Sequence, residues 1–105
     1  MSANSIKLRA GVNNTGVAAV RMLVNHPMLP EHIDTKTGKT NPPHHIEEIM
    51  VSLNGETVLV IDCGPGVAAN PFFSFNLAGV QRGDLLAVSW RDNRKQSDLF
   101  QTTVV

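Results

Sequence analysis

Apolar and polar residues alternate with a period of two through much of this chain. Ile6, Leu8, Ala10 and Val12 take turns with Lys7, Arg9 and Gly11. Val20, Met22 and Val24 do so with Arg21, Leu23 and Asn25, and Ile49, Val51 and Leu53 with Glu48, Met50 and Ser52. Phe73, Phe75 and Leu77 alternate with Ser74 and Asn76, and Leu86, Val88 and Trp90 with Ala87, Ser89 and Arg91. Successive strand side chains point to opposite faces, so each run predicts a strand with one face on a core. Thr57 to Ile61 is almost wholly apolar and predicts a central strand covered on both sides. Ile46, Ile49, Met50 and Leu53 also fit a helical spacing. The Asn54-Gly55 pair favours the extended reading, because it marks a tight type I′ hairpin that needs a strand on each side.

Turn signals fall between the runs. Gln81–Asp84 and Asp92–Lys95 read as turns, and Asn70-Pro71 disfavours helix and opens an extended segment. One connection is long: His26 to Pro43 holds four prolines, Gly38 and the polar run Thr35 to Thr40, the pattern of an irregular crossover between sheets. About seven short strands around one core predict an all-β fold, an immunoglobulin-like antiparallel β-sandwich forming a single domain over residues 1–105. The Cys…Trp…Cys spacing of antibody domains is absent, so the likeness is one of architecture.

Composition narrows the functional classes. Val, Ile and Thr supply 24 of 105 residues, which suits strands. Nine Lys+Arg balance nine Asp+Glu and are dispersed, which argues against nucleic acid and against anionic membranes as partners. No stretch approaches the roughly 20 apolar residues of a membrane helix, and residues 1–20 carry no signal-peptide pattern. A single cysteine, Cys63, allows neither an internal disulfide nor a zinc site of several thiolates.

The candidate chemistry is sparse. The histidines are His26, His32, His44 and His45, with no H-x-H or H-x3-H pair, and neighbours 44 and 45 on a strand face opposite ways. No metal and no cofactor is expected. Cys63 lies beside Asp62 with no helix or base to lower its pKa, so it reads as a core filler; a thiol enzyme using Cys63 is the less favoured reading. Gly64-Pro65-Gly66 lacks the Lys-Ser/Thr and helix of a phosphate cradle. Phe72 and Phe73 are consecutive, so one enters the core and the other stays outside beside Ser74 as a candidate contact. On these residues the chain is a non-catalytic β-sandwich with a binding face, which leaves a stand-alone fibronectin-like binding module open.

Asn25-His26-Pro27-Met28, Gly38-Lys39, Pro42 with His44 and Ile46, Asn54-Gly55, Gly64-Pro65, Asn70-Pro71-Phe72 and Gly83-Asp84…Trp90 occur together, in this order, over roughly residues 6 to 100. In these the chain resembles the SoxZ family of bacterial sulfur (thiosulfate) oxidation. The resemblance implies a scaffold subunit that is not an enzyme. It would form a heterodimer with SoxY, whose C-terminal cysteine arm carries oxidised sulfur intermediates, and would meet other Sox enzymes transiently. It implies a periplasmic location reached by co-export with a signal-bearing partner, and leaves room for self-association when the chain is alone. The matched positions it offers as partner contacts are His26, Met28, Pro65, Val67, Asn70 and Phe72. Cys63, and His45 in place of an apolar residue, depart from the family pattern, and no catalytic residue carries over.

Overall fold

Strand β1 (Ile6–Val12) buries Ile6, Leu8 and Ala10 and exposes Lys7, Arg9 and Gly11, as the alternation requires. The computed structural model describes residues 5–64 and 66–105. Its further strands are β2 (Val17–Val24), β3 (His32–Ile33), β4 (Thr40–Asn41), β5 (Ile46–Leu53), β6 (Glu56–Asp62), β7 (Phe72–Ala78), β8 (Leu85–Asp92) and β9 (Ser97–Thr103). Among the described residues no helix is long and apolar enough to cross a membrane. The seven long strands form a three-stranded sheet, β1-β2-β7, and a four-stranded sheet, β6-β5-β8-β9, paired antiparallel throughout. The two-residue strands β3 and β4 make a small hairpin inside the crossover.

Val20, Met22 and Val24 from one sheet and Ile46, Ile49, Val51, Leu86 and Val88 from the other are at most 1% exposed and form a single core. The expected β-sandwich is therefore present, and β5 is a strand. Asn54 and Gly55 have φ of 51° and 85°, both positive, which is what the tight β5–β6 turn demands.

The two sides of the sandwich differ. On one, β1 and the chain end close the gap: the Val12 N–H donates to the Val105 carbonyl at 2.9 Å, and the Val105 N–H to that of Ala10 at 3.1 Å. On the other side lie β6 and β7, and neither contains a fully buried residue. This corrects the expectation for Thr57–Ile61. The segment is an edge strand, with Val58 43% and Val60 47% exposed. A continuous apolar run signals two apolar faces; it does not say that this chain's own layers cover both.

Candidate functional site

Four segments distant in sequence meet at one end of the sandwich. Asp92 ends β8 with its carboxylate wholly buried. Its Oδ1 accepts the N–H groups of Arg94 (3.0 Å) and Gln96 (2.8 Å), which shapes the β8–β9 turn. Its Oδ2 faces His26 Nε2 at 3.0 Å and His44 Nε2 at 2.8 Å. His26 Nδ1 accepts the Met28 N–H at 3.1 Å, so the ring proton sits on Nε2 and is donated to Asp92. Met28 holds the left-handed region at φ 49°, and its Sδ accepts the Ile46 N–H at 3.3 Å. Trp90 packs edge-on against His26 with ring centroids 5.1 Å apart, and its Nε1 donates to Ser5 Oγ at 2.8 Å. Both ends of the crossover are thereby clasped to β8.

Charge follows from this packing. Burial pushes the His26 pKa below its ordinary 6.5; the bond to Asp92 opposes this and the neighbouring His44 adds to it. Burial pushes Asp92 up, but hydrogen bonds from His26, Gln96, His44 and Arg94 outweigh it and hold the acid below 3.8. The three donor atoms of His26, His44 and Asp92 lie within 4.8 Å of one another, close enough to hold a cation. Yet both Asp92 oxygens already accept two hydrogen bonds each, and His26 uses both nitrogens. A cation would have to break a satisfied buried network, so the arrangement is suited to clasping a loop.

Cys63 is a free, half-buried thiol packed against the core. Burial, and secondarily Asp62, push its pKa up, the opposite of what a nucleophile needs.

Among the described residues no further strand layer lies over the outer face of the four-stranded sheet. Val60 pairs with Met50, Met50 with Ser89 and Ser89 with Leu99, giving one row across all four strands. Val60, Met50 and Leu99 are 47%, 38% and 55% exposed. Arg91 borders the row, paired with Glu47 at 2.8 Å and with Glu48 at 3.7 Å. An apolar centre with a charged rim is the anatomy of a protein–protein interface.

A family model described as sulphur oxidation protein SoxZ matches residues 6–103. The chain belongs to the SoxZ family. No curated protein matches it. Membership makes it a subunit of the Sox system, acting in sulfur oxidation within a partner complex. His26, Met28, His44 and Ile46, four of the residues that carry the resemblance, meet in the clasp.

The six expected contact positions in this SoxZ-family chain occupy different environments. His26 and Met28 are 3% exposed, so any influence on a partner passes through the loop they shape. Val67 is half-buried against the core. Asn70 is exposed at φ 51°; its Oδ1 accepts the His26 N–H at 3.1 Å and its own N–H donates to the His26 carbonyl at 2.8 Å. Phe72 is 60% exposed, and Phe73 turns inward. Pro65 lies outside the described residues. Sequence reasoning passed over Asp92, where the available signal was an acid opening a turn, and the Val60–Met50–Leu99 row, where it was apolar residues at the polar phase of the alternation.

Proposed function

We propose that the chain is the non-catalytic half of a periplasmic sulfur carrier. It pairs with a SoxY-type subunit whose cysteine arm bears the oxidised sulfur intermediate, and it shapes the surface on which other Sox enzymes dock. The observation that carries this reading is the state of its own sulfur. A Sox subunit with one cysteine, half-buried and with its thiol pKa raised, needs a partner's thiol to hold cargo. Co-export with a signal-bearing partner brings it to the periplasm.

The partner seats on the outer face of β6-β5-β8-β9. Four strands about 4.8 Å apart and about 23 Å long cover roughly 450 Å² in projection. Side-chain relief raises the accessible area toward the ~800 Å² that each side of a stable complex hides. Met50 sits in the middle of the row, so Met50→Lys is expected to weaken co-elution with a SoxY-type subunit at least tenfold, with an unchanged melting temperature. Co-expression and size exclusion measure this. Failure of the parent chain to co-elute at micromolar concentration would refute the heterodimer. Cys63 is expected to alkylate more slowly at neutral pH than a free cysteine, and Cys63→Ser to leave pairing intact. Cargo found on Cys63 by mass spectrometry would overturn the scaffold reading.

A further inference from the structure

We infer that the β7 edge is a self-association site, where a second copy of this chain pairs its own β7 antiparallel across a two-fold axis at Phe75. The inference goes beyond the partner reading and uses a different surface. Strand edges are templates for pairing, and folds blunt them with charges, prolines, bulges or cover. Three of the four edges of the two large sheets are managed. β1 and β9 close on one another through Val105 and through Ser5, whose hydroxyl donates to Asp98 at 2.7 Å. β6 carries Glu56 and Asp62 at its ends and faces a register shift at Val51/Ser52. β7 reads Phe-Phe-Ser-Phe-Asn-Leu-Ala, with no charge, no proline and no register shift against β2.

The backbone groups of this edge can be assigned. The Val24 N–H donates to the Pro71 carbonyl at 3.0 Å. Antiparallel pairs alternate between bonded and non-bonded, so the bonded pairs in step with it are Met22↔Phe73, Val20↔Phe75 and Ala18↔Leu77. The N–H and C=O groups of Phe72, Ser74, Asn76 and Ala78 therefore point away from β2. Among the described residues no other strand pairs with them.

Register and sequence then agree. The apolar–polar pattern of β7 reads alike in both directions about Phe75. With Phe75 opposite itself, Ser74 meets Asn76, Phe73 meets Leu77 and Phe72 meets Ala78. Each outward-pointing backbone then meets another, and a shift by one residue would lose them all. Each opposed pair also shares a face: Phe73, Phe75 and Leu77 lie on the core side, and the other four outside. The contact is isologous and closes as a dimer, making one six-stranded sheet.

Area sets the strength. The chain exposes 6828 Å² over 105 residues, about 65 Å² each. At that rate the seven residues of β7 supply about 450 Å² per protomer. Roughly 900 Å² in total is the size of a weak, transient contact, so the dimer is expected to dissociate in the upper micromolar range.

Sedimentation equilibrium of the full chain from roughly 1 to 200 μM tests this. A reversible monomer–dimer equilibrium is expected, abolished by Asn76→Pro, which removes an outward N–H and no bond to β2. Ser74→Lys, at an exposed side chain near its two-fold mate, is expected to do the same and keeps the test intact should the proline variant not fold. A chain that stays monomeric throughout, or a dimer indifferent to both variants, overturns the proposal. In a further arm a SoxY-type subunit is added. Persistence of β7 pairing within a larger complex supports it. Displacement of the dimer by a partner whose binding Asn76→Pro abolishes overturns it, while leaving the heterodimer reading standing.

Discussion

Asp92→Ala is expected to cost about 3–5 kcal/mol of folding stability, the largest loss from any single polar substitution in the chain. The reason is the number of donors that share this carboxylate. His26, His44 and the Arg94 and Gln96 amides all donate to it, and the side chain is fully buried. Alanine strands buried donors on both sides of the clasp, and each buried donor left unpaired costs about 1–3 kcal/mol. Domains of this size hold only about 5–15 kcal/mol in total, so the variant falls near the unfolding threshold. Asp92→Asn keeps the shape and part of the accepting capacity and is expected to lose clearly less. Urea unfolding monitored by Trp90 fluorescence reads the difference, since Trp90 packs on His26. A loss below about 1 kcal/mol for the alanine variant would mean that water replaces the carboxylate and that the clasp does not hold the crossover.

The contrast between strands and clasp explains what the sequence could disclose. Period-two runs such as Ile6–Val12 and Leu86–Trp90 marked strands correctly because a single covered face imposes alternation directly on the chain. Phe72 outside and Phe73 inside followed from the same geometry. Thr57–Ile61 misled because apolar character reports a preference for cover and not its source; here Val58 and Val60 stay exposed on an edge strand. The clasp was illegible for another reason. His26 and Asp92 are 66 positions apart, and His44 and Asp92 are 48 apart. Metal-type spacings such as H-x-H describe ligands on one element, whereas these three side chains are brought together by topology. The motif match over the crossover singled out His26 and Met28 as contacts, and the fold shows both buried and bonded inward.

The second large effect is on pH, and its sign follows from which state binds more protons. His26 lies below its ordinary 6.5 in the folded chain, chiefly through burial. In the unfolded chain it takes up a proton near 6.5, while the folded chain resists until lower pH. The unfolded state thus binds more protons in this window, and stability is present above about 6.5 and lost as pH falls toward the folded value. Asp92 acts lower down. Its hydrogen bonds overcome the effect of burial and hold it below 3.8, so its contribution is complete above that value and is lost as pH falls through the folded pKa. Asp98, held low by bonds from the Ser5 amide and hydroxyl, adds to the same lower limb. Two limbs are expected: a decline in melting temperature as pH falls below about 6.5, then a further fall below about pH 4. His26→Gln can still donate to Asp92 but cannot titrate, and is expected to flatten the upper limb while leaving the lower one. Calorimetry across this range decides the matter. An upper limb that persists in His26→Gln would place the titration elsewhere, and a flat profile in the parent would mean that His26 gains its proton within the folded clasp without cost.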